Sequence, residues 1–116
     1  MADQVLGAFF SERDRRSGTL SVTLASSGNS DSVDIRGMAQ IIIGFPGSMA
    51  STNVDVQVSG DNTTFFDLYT RDGTQVTFTT SSSRFYDVPE LAGAMFFRLV
   101  TDADDSSRAA VIMGKV

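Results

Sequence analysis

The chain has 116 residues and a formal net charge of −5, from 9 Lys and Arg against 14 Asp and Glu. This length fits a single domain with one packed core, and the acidic charge would repel a phosphate backbone, which argues against a nucleic-acid partner. The chain contains no Cys and no His, which excludes a thiol nucleophile, an imidazole base and the commonest metal ligands, so we predict no enzymatic activity and no cofactor.

Residues 1–17 are predicted to form an N-terminal arm that precedes a β domain over residues 18–116. The arm combines an apolar stretch with a charged stretch. Its start lacks the pattern of a secretion signal, and nowhere in the chain do about 18 apolar residues run together. We therefore expect a protein that is made in the cytosol and has no membrane partner. The candidate contact residues in the arm are Phe9, Phe10, Arg13, Arg15 and Arg16.

The first part of the domain alternates polar and apolar residues with the period of two that a half-buried strand requires. The first predicted strand covers Thr19 to Leu24, and a loop is predicted over residues 26–32. An extended stretch begins at Val33, and a further strand covers Gln40 to Phe45. The inward side chains of the first strand are predicted to be Leu20, Val22 and Leu24.

Two hairpins are predicted in the middle of the chain. Residues 54–58 alternate cleanly, and a turn at 60–62 leads into a strand over 65–69, because Asp and Asn tolerate the positive φ of a tight turn. A second turn at 71–73 contains Asp-Gly, which suits a tight β connection, and leads into a strand over 76–79. Together these segments predict a continuing β-meander.

The last third of the chain predicts a strand at 84–88, a short helical turn from Pro89, and strands over 95–100 and 109–113. An acidic loop is predicted over 101–107. About eight short strands without sustained helical periodicity indicate an all-β fold, an antiparallel, jelly-roll-like β-sandwich.

The acidic loop offers carboxylates that calcium could use. Its residues Asp102, Asp104 and Asp105 match no EF-hand spacing and lack that loop's distant Glu. We therefore interpret the loop as solvated and predict no metal site.

Three short segments place bulky apolar residues on both faces of their strands. They are Ile41-Ile42-Ile43, Phe65-Phe66 and Phe96-Phe97. If Ile41, Ile43, Phe65 and Phe97 face the core, their neighbours point away from it. Exposed apolar area of this kind marks a contact surface, so we predict self-association; the alternative is cover by loops or the arm of the same chain. The predicted contact residues of the domain are Ile42, Phe66 and Phe96.

The hairpin over residues 56–69 resembles one found in small β-sandwich proteins encoded among tailed-bacteriophage structural genes. In that pattern an apolar-Gln-apolar-Ser strand leads to an Asp-Gly turn and then to Thr-Thr-Phe; here Asn62 stands in place of the Gly. The resemblance extends over residues 32–37, 72–76 and 91–99, and it covers most of the chain from Gly18 onward.

The resemblance implies a phage virion structural protein, with a capsid decoration, or cement, protein as the leading candidate. Such proteins commonly sit as small oligomers over junctions between major capsid protein subunits. The resemblance therefore implies a homo-oligomer, with a trimer favoured, located on the capsid surface of the virion. Phe9 and Phe10 would act as anchors, because surface ion pairs from the three arm arginines would add under about 1 kcal/mol each.

Two other roles are compatible with the same sequence. A tail- or fibre-associated module would bind a glycan or a receptor through the loops at 48–53 and 101–107. A neck or tail fitting protein would use the same sandwich at another position of the particle. The fold does not choose among these roles.

Overall fold

The structure is a computed structural model, and it describes residues 4–5, 17–80 and 83–116. Within these residues the secondary structure consists of strands and one short 3-10 helix, Pro89–Gly93. The strands are β1 Gln4–Val5, β2 Ser17–Thr23, β3 Ser26–Asn29, β4 Val33–Asp34, β5 Gln40–Phe45, β6 Asn53–Ser59, β7 Phe66–Asp67, β8 Thr77–Thr79, β9 Arg84–Asp87, β10 Phe96–Asp104 and β11 Ala109–Lys115.

The strands form two sheets. The large sheet has the order β1-β4-β10-β6-β7, with β3 paired to β10 and β8 paired to β6. The small sheet has the order β2-β11-β5-β9. The pairings between these strands are antiparallel, apart from the parallel pair β1 and β4. The predicted antiparallel β-sandwich is confirmed.

The core lies between the two sheets and is made of their inward side chains. The predicted alternation of the first strand is confirmed, since all three of its inward residues are buried. Ile41, Ile43 and Phe97 are fully buried, and Leu91 of the 3-10 helix joins them. Each large apolar side chain buried in this way contributes about 1.5–3 kcal/mol, so this alternation is the main source of stability.

The loop predicted over residues 26–32 is wrong in its first half. Residues Ser26 to Asn29 form β3, which pairs with β10 of the large sheet. The Thr101 hydroxyl donates to the carbonyl of Ala25 at 3.2 Å, and the Leu99 amide donates to the Ser30 hydroxyl at 3.0 Å. The segment is poor in β-formers, and β10 supplies the hydrogen bonds that keep it extended, a tertiary effect that overrides local propensity.

The two turns of the middle segment form as predicted, but the meander does not. Asn62 has a φ of 62° and Gly73 a φ of 92°, the left-handed values that these turns require. The strand β8 returns to pair with β6, as β7 does, so the two short strands lie along the same edge of β6. Between them the chain leaves the sheet, with one bridge between Tyr69 and Gln75.

Candidate partner-binding surface

The described residues contain no group of three or more acidic side chains placed to hold a metal ion. In the same part of the chain, no helix is long and apolar enough to cross a membrane. The two outer faces of the sandwich differ in their side chains.

The middle of the outer face of the small sheet is apolar, and its two edge strands add the exposed residues Thr19, Ser21, Thr23 and Asp87. Ile42 lies between two fully buried isoleucines, so its side chain points outward, and it is paired with Met113 of β11. Beside this pair, Gly44 is flanked by Val111 on one side and by Phe85 on the other. We call these five residues, Ile42, Gly44, Phe85, Val111 and Met113, the small-sheet face.

Gly44 allows an aromatic ring to lie on this face. A Cβ atom at this position would collide with the ring carbons of Phe85, so only glycine leaves room for the ring over the strand. The Phe85 side chain is nevertheless 57% exposed, because no described residue covers its outer side. An aromatic ring held over a strand and open to solvent is the kind of residue that anchors protein interfaces.

Two shallow depressions lie along the small-sheet face, and the Phe85 ring lines one of them. One has a volume of about 300 Å³ and is lined by residues that include Thr19, Ile42 and Met113. The other has a volume of about 290 Å³ and is lined by residues that include Ala109 and Val111. Their charged residues, Lys115 and Arg84, belong to the ends of strands, so the face has an apolar centre with charges at its rim.

The outer face of the large sheet is different, because two of its aromatic residues, Phe65 and Phe96, each lie beneath an arginine guanidinium. The Arg98 guanidinium lies over the Phe65 ring at 4.1 Å and donates to the Gln57 side chain at 2.8 Å. Gln57 in turn donates to Asp67 at 3.0 Å. Phe65, which was expected in the core, is therefore only half-buried and packs beneath a cation on the outside; that expectation was wrong.

The structure separates the contact residues predicted for the domain. Ile42 lies on the small-sheet face, whereas Phe96 belongs to the large sheet, where the Arg36 guanidinium lies 5.0 Å from its ring centre. Phe66 pairs with Val58 in β7 and is 68% exposed. The three residues therefore do not form one patch. The arm residues Phe9, Phe10, Arg13, Arg15 and Arg16 lie outside the described residues.

Phe85, Val111 and Met113 were not among the contact residues predicted from the sequence. The sequence does contain a signal for Val111 and Met113, because the run from Ala109 to Met113 is apolar at every position, as the isoleucines of β5 are. In β11 the buried residues Ala110 and Ile112 alternate with Val111 and Met113, which face outward. No local pattern would have paired Phe85 with Gly44, because that contact depends on the register between β5 and β9.

The interpretation of the acidic loop as solvated is wrong at Asp105, which is fully buried. Its carboxylate accepts hydrogen bonds from the amides of Ala50 at 2.7 Å and Ser51 at 3.0 Å, and from the Ser51 hydroxyl at 2.5 Å. Arg108 adds an ion pair at 3.4 Å. Burial by itself would raise the pKa of Asp105, but these hydrogen bonds and the nearby guanidinium outweigh it, and the pKa lies below its ordinary value.

Comparison with known proteins identifies a structure with a shared fold but no family. No protein-family model matches this chain, and the curated protein sequences show no significant similarity to it. Among solved structures, the chain is similar to one described as the crystal structure of SPBc2 prophage-derived protein YomS, with a TM-score of 0.61 and 12% identity. The alignment covers 86% of this chain and 95% of that one. At this identity the similarity shows that the two proteins share a fold.

Proposed function

We propose that this chain is a phage virion structural protein, a capsid decoration protein that binds over junctions between major capsid protein subunits and stabilises the head. The small-sheet face carries the proposal. It has an uncharged apolar centre on which the Phe85 ring lies over Gly44. A surface of this kind binds protein by excluding water.

Two observations support a role in a phage particle. The fold is shared with a protein described as prophage-derived, and the hairpin around Asn62 resembles one encoded among phage structural genes.

The contrast between the two faces favours docking by the small sheet. On the large sheet, Gln57 is hydrogen-bonded to both Arg98 and Asp67. A partner that docked there would have to break these hydrogen bonds, whereas docking on the small-sheet face breaks none of them.

The arm belongs to the same proposal. Phe9 and Phe10 would insert between neighbouring capsid subunits, and Arg13, Arg15 and Arg16 would pair with acidic residues there. Replacing both phenylalanines by serine, with β1 left in place, should weaken binding to particles at least tenfold. Unchanged binding would refute the anchoring role of the arm and leave the small-sheet face as the docking surface.

Electron microscopy of phage particles assembled with and without this chain tests the proposed location. We expect additional density over the junctions between capsomers when the chain is present. Density at the neck or the tail would instead identify a fitting protein. Affinity for host glycans without affinity for empty capsids would identify a receptor-binding module.

A pair of matched variants tests the docking surface. Phe85→Asp places a charge in the centre of the small-sheet face and should reduce capsid binding by more than tenfold. Tyr69→Asp is the control, because Tyr69 is exposed to a similar extent, 53% against 57%, but lies beside β7 of the other sheet. Equal binding by both variants would show that the small-sheet face does not dock.

A further inference from the structure

The first strand of the small sheet, β2, has one open edge. It has seven residues, and within the described part of the chain its one strand partner is β11, which covers one side of it. Among the described residues no other strand pairs with it. An edge strand of this length presents a row of unpaired backbone donors and acceptors, which another strand can use.

The register with β11 identifies which groups face the open side. The amide of Leu24 donates to the carbonyl of Arg108 at 2.9 Å, so the even-numbered residues of this strand turn their backbone groups toward β11. The odd-numbered residues Thr19, Ser21 and Thr23 consequently turn their amides and carbonyls away from it. The side chains of these three residues are exposed.

The residues of β2 themselves include none of the charges, prolines or bulges that usually prevent edge strands from pairing. Its sequence, Ser-Gly-Thr-Leu-Ser-Val-Thr, contains no charge and no proline, and its register with β11 runs without a bulge. The other edge strand of the same sheet, β9, is shorter and carries Arg84 and Asp87. Because β9 carries charges and β2 does not, β2 is the edge of this sheet to which another strand can be added.

We propose that β2 is a self-association site, where β2 of a second copy pairs with it in antiparallel fashion about a two-fold axis at Ser21. This register sets Ser21 opposite its own symmetry mate and Thr19 opposite Thr23 of the second copy. Each of these residues turns its backbone toward the partner, so the contact forms about six hydrogen bonds, two for each facing pair. A contact of this kind is isologous, because both copies use the same residues.

The second copy is the occupant that fits the chemistry of this edge. The chain has a net charge of −5, and copies that meet through a charged surface would repel each other. The strand β2 has no charge, and its facing side chains are hydroxyls that form favourable cross-strand pairs. On the inner side, the buried residues Leu20 and Val22 of each copy would meet, which continues the two cores across the junction.

This inference does not depend on the proposed function. The contact lies at an edge, so it leaves the small-sheet face open and joins two such faces into one continuous surface. It gives a two-fold dimer, whereas the phage resemblance favours a trimer. The mass of the assembly in solution therefore distinguishes the two arrangements.

Cysteine cross-linking of the full chain provides a direct test, because the natural sequence contains no Cys. In a hydrogen-bonded antiparallel pair the Cα atoms lie about 5.5 Å apart, within the range that a disulfide spans. Ser21→Cys should therefore form covalent dimers on mild oxidation, at least ten times faster than the control Thr79→Cys. Thr79 is also an exposed residue of an edge strand, β8 of the large sheet.

Light scattering and amide exchange complete the test. The unmodified protein should have the mass of a dimer at high concentration, and Ser21→Lys should lower its self-affinity more than tenfold by placing two like charges in contact. The amides of Thr19, Ser21 and Thr23 should gain protection from exchange as concentration rises. A trimer, a monomer whose amides are protected at every concentration, or equal cross-linking of both variants would overturn the proposal.

Discussion

A single buried carboxylate organises the loops at one end of the sandwich. Asp105 holds the backbone of Ala50 and Ser51, and the Ser51 hydroxyl also accepts the amides of Asp102 and Ala103 at 3.2 and 3.1 Å. A buried acidic group is stable only when its acceptor positions are filled, and here the donors are backbone amides of another loop. The Asp105 side chain therefore fixes the loop at residues 50 and 51 against the end of β10.

Asp105→Asn tests this role. Asparagine keeps the size of the side chain but removes the charge that strengthens these hydrogen bonds, so we expect unfolding to cost about 2 kcal/mol less than in the natural protein. Urea denaturation measures the difference. Asp102→Asn is the control, because Asp102 is exposed in the same strand end and should change stability by less than about 0.5 kcal/mol. Equal effects would contradict the role of Asp105.

The same carboxylate predicts a pH dependence. The pKa of Asp105 is lower in the folded protein than the value of about 3.9 expected in the unfolded chain, so its stabilisation is complete above the unfolded value. It is lost as the pH falls through the folded value. The stability difference between the natural protein and Asp105→Asn should be constant from pH 5 to pH 7 and shrink below about pH 4. A constant difference down to pH 2 would exclude a lowered pKa.

One glycine of the second hairpin can also be tested. Gly73 has a φ of 92°, which an alanine adopts only with strain, so Gly73→Ala should destabilise the fold by about 1–2 kcal/mol. Gly93→Ala is the control, because Gly93 does not have a positive φ and a Cβ there would meet nothing. Thermal unfolding of both variants compares them, and a neutral Gly73→Ala would contradict the turn geometry.

The residue scale is where sequence reasoning was weakest. Asp105 stands in an acidic run that resembles a solvated loop, and only the fold shows that the donors of residues 50 and 51 converge on it. Phe65 was expected in the core as the inward member of the pair Phe65-Phe66, but β7 begins one residue later and Phe65 lies beneath Arg98. Contacts between segments that are distant in the sequence leave no local signal.

At the scale of elements, β8 is the strand whose attachment depends most on one residue. Its three residues pair with β6, and only Phe78 is buried, with its ring 5.6 Å from Phe45 and 4.8 Å from Tyr86. Phe45 and Tyr86 belong to the small sheet, so this aromatic cluster joins the two sheets. The Tyr86 hydroxyl donates to the carbonyl of Thr79 at 2.6 Å and adds a second link.

Phe78→Ala should therefore cost about 3–5 kcal/mol and release β8 from the sheet. The Thr80 amide donates to the carbonyl of Thr52 at 3.1 Å, so the backbone amides of residues 78 and 80 are the ones that face β6. Exchange of these two amides should accelerate more than exchange in β2 or β11. Thr77→Ala, at an exposed position of the same strand, should cost less than about 1 kcal/mol. If Phe78→Ala accelerates exchange uniformly throughout the domain, β8 does not separate as a unit.

Strands with a long apolar run or a clean alternation were predicted well, and short or polar strands were not. The bounds of β5 match the prediction, and β6 extends it by a residue at each end. The strands β3 and β7 contain four and two residues, and they exist because β10 and β6 offer edges to them. A sequence shows the half-buried alternation of a strand, but it does not show which polar segments the sheet will recruit.

At the scale of the whole molecule, the sandwich and its core were accessible from the sequence, but the location of the exposed apolar surface was not. Apolar residues on both faces of β5 and β10 pointed to a contact surface, yet the two strands belong to different sheets. The cation over Phe96 and the glycine beneath Phe85 give the two outer faces different properties. This difference between the outer faces depends on which strands pair and in which register, and the sequence does not show either.

The proposed dimer makes a prediction for the intact protein. Because self-association stabilises the folded state by mass action, the midpoint of thermal unfolding should rise with protein concentration. Over a hundredfold range, calorimetry should detect an increase of several degrees for the natural protein. Ser21→Lys should abolish this increase. A midpoint that does not depend on concentration would argue against a folded dimer.

The unequal faces of the sandwich would have a consequence for the proposed particle. If the small sheet docks as proposed, the hydrogen-bonded face with Arg98, Asp67 and Gln57 becomes the outer coat, and each bound copy adds its charge of −5 to the shell. Many copies would give the shell a strongly negative electrokinetic potential. Particles coated in this way would repel one another and remain dispersed at the crowding found in a lysing cell.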